Sequence, residues 1–406
     1  MLSSYAKNFF KKYVGILFLI IALLGLALFL INKREFFKKD SKDVSEFATE
    51  VLATCATKSS PTDCYNKEIP KLMDRLSMKD AFAVTKVVVE KDPQFGYCHT
   101  LAHKLSGRET AKNPDHWKEV ITQCPTDICN YGCLHGPLLQ RYSKNYLSDE
   151  EIEKIKPELK EVCEKRPGWD PASWDQAMCH HGLGHLTMYI TKGDLQKSVE
   201  LCRFLGAGKE FDYFSTCLEG VFMQIFQPLE EEDKELIRGI SVTKESASSF
   251  CDKFEEKVRY NCWRESWPMH REELMKPEGL LSFCSYPKDE EGKKSCRGAV
   301  INLITTVFAV DEGKTEKVND YCSALPHTLA QECLEMAGAR LIQISPEYLG
   351  KAAALCREVL NKNLREACLQ SLAGLVTNRF HPGSEEFKHY CRALPEPWNA
   401  KCLEKK

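Results

Sequence analysis

The stretch Tyr321-Cys322-Ser-Ala-Leu-Pro-His-Thr-Leu-Ala-Gln-Glu-Cys333-Leu-Glu-Met-Ala-Gly-Ala-Arg-Leu341 shows how the whole chain is built. Glu316 to Tyr321 reads as the last part of one helix, closed by Cys322. A short loop follows, Ser323 to His327, with Pro326 where a helix cannot continue but a new one can start. Apolar residues then recur at helical spacing through Cys333 to about Ile342. A Cys322–Cys333 bond would staple the end of the first helix to the early turns of the second. Closing a loop of this length is worth about 2.5–3 kcal/mol in the chain-entropy model.

The phrase recurs in both directions. Cys251/Cys262, Cys284/Cys296, Cys356/Cys368 and Cys391/Cys402 repeat it with ten or eleven intervening residues. Cys55/Cys64, Cys124/Cys133, Cys163/Cys179 and Cys202/Cys217 follow it more loosely. With Cys98 included, the second cysteines are spaced by 34, 35, 46, 38, 45, 34, 37, 35 and 34 residues. A period of that size marks an α-solenoid, in which each two-helix unit buries its apolar face against its neighbours. An all-α fold of disulfide-stapled helical hairpins is expected.

In plan this resembles the helical hairpins of Sel1-like and tetratricopeptide proteins. The resemblance is architectural: the Trp-Leu-Gly-Tyr signature is absent, and the intervals of 45 and 46 depart from a strict repeat. Nine cysteine pairs follow the phrase, which leaves Cys98 and Cys129. A Cys98–Cys129 bridge joining adjacent units is expected, with 98–124 and 129–133 as the alternative. Zinc ribbons and covalent c-type haem are excluded, because the chain contains no Cys-x-x-Cys.

Val14 to Ile31 is an uncharged apolar run, long enough to cross most of a bilayer. It is longer than a typical signal-peptide core, and no Ala-x-Ala site ends it. The expected division is a cytoplasmic tail (1–13), a transmembrane signal anchor (14–31), a juxtamembrane linker (32–44), His-rich helical repeats (45–250) and Cys-paired C-terminal repeats (251–406). Positive charges argue weakly against that orientation, since Lys7, Lys11 and Lys12 precede the run and five cations follow it by Lys42. Regular cysteine pairing argues for it, because cytosolic thiols are kept reduced. The cysteines decide: the bulk of the chain is expected to be extracytoplasmic, at the cell surface or in a periplasm. A net charge of −2 gives no reason to expect nucleic acid as a partner.

Six of the eleven histidines lie in three consecutive post-cysteine segments. These are Cys98-His99-Thr-Leu-Ala-His103, Cys133-Leu-His135-Gly136 and Cys179-His180-His181-Gly182-Leu-Gly-His185. His135 and His181 both stand two residues after their cysteine, and Gly136, Gly182 and Gly220 stand three after. His99/His103 and His181/His185 are i,i+4 pairs, which places both imidazoles on one helix face. Stacking in register would put His135 between the pairs. The expected metal ligands are therefore His99, His103, His135, His181 and His185, with His180 or Glu219 as an additional ligand or proton shuttle. Glu219 shares the frame position of His135 and His181.

Imidazole-dominated sites suit zinc, copper or iron, and haem held by two histidines is also open. Helical-repeat di-iron hydroxylases, whose ligands come from His-Glu motifs in successive repeats, offer an analogy. The metalloprotease pattern His-Glu-x-x-His is excluded, because Thr100 and Gly182 occupy the position of its glutamate. The expected function is a membrane-anchored, metal-binding solenoid; if it is an enzyme, the metal would activate water or dioxygen. Its rival is a disulfide-rigid scaffold holding a protein or glycan partner, with the histidines structural. The loop Arg166-Pro-Gly-Trp169-Asp170-Pro-Ala-Ser-Trp174-Asp175 reads as a Pro-fixed edge or a lid over the histidines.

Overall fold

Short polar side chains start the helices. Ser77, Asp194, Asp289 and Ser384 each accept the backbone N–H three residues on, satisfying a donor that has no partner within its helix. The computed structural model describes residues 44–405 apart from 93–94, 96–97, 143–145, 209–210 and 229–230. The expected tail, anchor and nearly all of the linker lie outside the described residues. Among the described residues the fold is helical, and no helix is long and apolar enough to cross a membrane.

Eight helices form an ordered series: α1 (His99–Lys112), α2 (Gly132–Tyr142), α3 (Ser173–Ile190), α4 (Tyr213–Phe226), α5 (Glu256–Glu265), α6 (Glu290–Thr305), α7 (His327–Ile344) and α8 (Lys362–Arg379). Each packs on the next, from α1 against α2 to α7 against α8. Shorter helices lead into them. The helix Thr315–Ser323 ends just after Cys322, Pro326 caps the next, and α7 begins at His327.

Disulfides close these junctions. The pairs are Cys55–Cys64, Cys124–Cys133, Cys163–Cys179, Cys202–Cys217, Cys251–Cys262, Cys284–Cys296, Cys322–Cys333, Cys356–Cys368 and Cys391–Cys402. A tenth, Cys98–Cys129, ties the start of α1 to the segment that leads into α2. No free cysteine is found among the described residues.

The series bends until its last helices meet its first. α8 packs against α3, and α7 touches the segment Cys129–Tyr131. Arg379, at the end of α8 and only 4 % exposed, donates to the Tyr131 hydroxyl and to the Thr126 carbonyl. Its guanidinium lies 4.8 Å over the Tyr131 ring and 3.6 Å from the Asp175 carboxylate. His381 Nε2 donates to the Asp170 carbonyl at 2.8 Å, and Lys86 pairs with Glu347 at 2.7 Å. The loop 166–175 is thus an edge clasped by the C-terminal hairpins. Trp169 is buried in it beneath the Arg166 guanidinium, 4.3 Å from the ring centre.

The staples carry a stability test. Changing Cys356 and Cys368 together to serine is expected to lower the unfolding free energy by about 2.5–3 kcal/mol, with the helical circular-dichroism signal kept. An unchanged denaturant midpoint would show that the bridge adds nothing to the packing of its hairpin.

Candidate metal centre

Glycines decide how closely the histidine-bearing helices approach. A Cβ on Gly132 would collide with the His99 carbonyl oxygen, and one on Gly136 with the His103 carbonyl oxygen and Ser106 Oγ. α1 and α2 therefore touch backbone to backbone. Gly184 and Gly220 act likewise between α3 and α4, facing the Cys217 and His181 carbonyl oxygens. Gly182 accommodates the His135 ring, whose Cδ2 would lie 2.6 Å from a Cβ at that position.

This approach gathers five imidazoles. Within α1 the His99 and His103 ring centres are 4.6 Å apart, and His135 of α2 lies 5.0 and 5.1 Å from them. His181 and His185 of α3 are 4.8 Å apart and stand 5.4 and 5.5 Å from His135. His135 is the central ring. His103 Nε2 is 3.2 Å from His135 Nδ1, and the Nε2 atoms of His181 and His185 are 3.0 Å apart.

Backbone carbonyls orient two of these rings. A carbonyl only accepts, so His99 Nδ1, at 3.1 Å from the Asn130 oxygen and 3.3 Å from that of Cys129, carries its proton. The lone pair of His99 is then on Nε2. His135 Nε2 donates to the Met178 carbonyl at 3.1 Å, which leaves the lone pair on Nδ1 facing His103. The ligand nitrogens of His99, His103 and His135 all lie within 4.8 Å of one another, a group that could hold a metal ion. Zinc–nitrogen bonds of about 2.0–2.1 Å in a tetrahedron put neighbouring nitrogens ~3.3 Å apart, close to the His103–His135 spacing.

The carbonyls that hold His99 belong to a strained turn. Cys129, Asn130 and Tyr131 have φ of 56°, 46° and 63°, all left-handed and none of them glycine. Asparagine tolerates this region; each of the other two costs on the order of 1–3 kcal/mol. The Cys98–Cys129 bridge at one end and Arg379 on Tyr131 at the other hold the turn in place.

Burial disfavours the charged form of four of these imidazoles. It pushes His99 down to about 4, with the neighbouring His181 adding to the effect. His103, His135 and His185 are pushed well below the ordinary imidazole range, by burial first and by one another second. Neutral imidazole is the form that binds metal. The rings are packed against each other, so no slot for a porphyrin lies between them. An ion suits the cluster better than haem.

His180 is placed differently. Its ring stacks on Tyr213 with centres 4.3 Å apart, outside the ring contacts that join the other five. Glu219 stands behind His181: one carboxylate oxygen is 3.7 Å from His181 Nδ1, and the other is 2.8 Å from Arg264 Nη2. Burial pushes the Glu219 carboxyl up, but Arg264 and His181 outweigh it and leave the group below its ordinary value. Arg264, 6 % exposed, also meets Glu265 at 3.0 Å and donates to Ser295 Oγ at 2.8 Å. Arg264, which no histidine pattern points to, also stands two residues after a second cysteine, Cys262. That frame position reads His135, His181, Glu219, Arg264 in consecutive units. Comparison with protein-family models, curated proteins and solved structures finds no match for this chain.

Two glycine substitutions separate close approach from helix propensity. Gly136→Ala is expected to cost about 1–3 kcal/mol of unfolding free energy through overpacking between α1 and α2. Gly350→Ala, where a Cβ meets nothing within 4 Å, is expected to stabilise by about 0.5–1 kcal/mol. Equal effects in denaturant unfolding would remove the packing argument.

Proposed function

We propose that this chain is a membrane-anchored, extracytoplasmic α-solenoid of the tetratricopeptide or Sel1-like plan that binds a transition metal through His99, His103 and His135, with His181 and His185 beside them. The observation that carries the reading is the three-nitrogen group of neutral imidazoles, two of them oriented by backbone carbonyls. Orientation of the ring through its other nitrogen is what metal-ligating histidines require. The apolar run 14–31 supports the anchor, and the ten disulfides support an oxidising compartment outside the cytoplasm. The ordered packing of α1 to α8 supports the solenoid plan.

The donor set is entirely nitrogen, which favours zinc or copper over iron. Three protein donors leave a coordination position on the side of His181, whose side chain is 12 % exposed. A metal held there would polarise water or dioxygen. The chain supplies the enclosure, the neutral donors and, at the more exposed edge, Glu219 as a proton acceptor. The C-terminal hairpins hold the turn that orients His99, through Arg379 on Tyr131.

Elemental analysis tests the reading. The full chain, made in an oxidising compartment and purified in detergent, is compared with a variant carrying His99, His103, His181 and His185 all changed to alanine. The parent is expected to hold at least one equivalent of a transition metal, and the variant none, at equal helical signal. A parent without metal even after reconstitution would overturn this reading in favour of the scaffold, a rigid surface for a protein or glycan partner.

A further inference from the structure

We infer that His181 is the fourth donor to the metal held by His99, His103 and His135, and that Glu219, fixed by Arg264, is the positioning residue that makes it so. The inference rests on the metal-binding reading and names a part of that centre which the three-nitrogen group leaves out.

Two histidines could supply the fourth donor. The ring centres of His181 and His185 are almost equally far from His135, at 5.4 and 5.5 Å, so distance does not choose between them. The environment of the second nitrogen does. Glu219 Oε2 sits 3.7 Å from His181 Nδ1, on the side of the ring away from the Nε2 that faces His185. A carboxylate there favours the tautomer with its proton on Nδ1 and the lone pair on Nε2. In that tautomer His181 Nε2 accepts from His185 Nε2–H across 3.0 Å. A metal taking that Nε2 lone pair displaces the His185 N–H from it, while Glu219 keeps the proton on Nδ1. The same geometry sets Glu219 behind His181, facing its Nδ1, and not beside it as a fellow ligand.

Glu219 is itself held. Its Oε1 lies 2.8 Å from Arg264 Nη2, and Arg264 is fixed by Glu265 at 3.0 Å and by Ser295 Oγ at 2.8 Å. Arg264 is 6 % exposed, so its charge has little water to turn to and the ion pair fixes the Glu219 rotamer. The order donor, carboxylate, guanidinium thus runs through α3, α4 and α5. Removing an outer-shell partner of this kind typically lowers metal affinity about 10–100-fold.

Cobalt(II) binding by the metal-free full chain tests the assignment, because the visible spectrum reports the donor set and the titration reports affinity. Glu219→Gln and His181→Ala are each expected to weaken binding by about 10–100-fold and to change the spectrum. Combined, they are expected to be no worse than His181→Ala alone. Glu219→Asp keeps the charge that Arg264 needs but shortens the reach to His181, so it shows the same weakening should Glu219→Gln fail to fold. Parental affinity and spectrum in the Glu219 variants would overturn the inference. So would a Glu219 effect that persists in the His181→Ala background, since Glu219 would then act elsewhere. A parent that binds no cobalt would take down the metal-binding reading and this inference together.

Discussion

A disulfide between the end of one helix and the first turns of the next is the constraint on which the rest depends. It holds paired Cα atoms about 5.5 Å apart in most hairpins, and so sets where each long helix begins. Two consequences follow. Residues at a given distance after the second cysteine take equivalent places in successive helices, which turns a linear frame into a spatial one. The hairpins are also relieved of the need for a deep core, since each bridge supplies order that burial would otherwise have to provide. Many short helices persist here at lengths that would be marginal alone, such as Ala247–Cys251 and Trp398–Leu403.

Within that frame, small and functional residues alternate. Position two after the cysteine carries His135, His181, Glu219 and Arg264, and position three carries Gly136, Gly182 and Gly220 before the series changes to Glu265. The glycines are why the imidazoles meet. With any Cβ at Gly136 or Gly220, neighbouring helices would have to separate, and the ring contacts near 5 Å would open. Close approach therefore serves the centre, at the cost in backbone entropy that glycine carries within a helix.

Much of this was legible from residue spacing. The pairing phrase gave the helix ends around Pro326 and the staple from Cys322 to Cys333, because covalent chemistry and proline geometry act locally. The i,i+4 histidine pairs gave their own clustering, because a helix fixes that spacing. What stayed hidden depends on contacts far apart in sequence. Arg379 reaches Tyr131 from the opposite end of the series, and no periodicity predicts that the helices bend so far. The left-handed run Cys129-Asn130-Tyr131 contains no glycine to announce it. The tautomers of His99 and His135 depend on carbonyls of Asn130 and Met178, which no side-chain pattern encodes. Arg264 shares the frame position of Glu219, but an arginine there is no metal ligand, and only the fold shows that its guanidinium meets the Glu219 carboxylate.

The electrostatic arrangement shows why the centre lies where it does. Inside the cluster burial makes the protonated forms of His99, His103, His135 and His185 costly. A cation bound among them would therefore bring its full charge into a poorly solvated site, and neutral nitrogens compensate only by donation. The compensating anion stands one layer out, in Glu219, and Arg264 and Glu265 extend the alternation of sign away from the site. Placing the carboxylate behind a ring lets it stabilise a bound cation without occupying a coordination position. It also explains the order of residues along the frame. Imidazoles come first, where the backbones touch and water is excluded. Carboxylate and guanidinium follow as the series moves on to α4 and α5, where Glu219 regains contact with solvent.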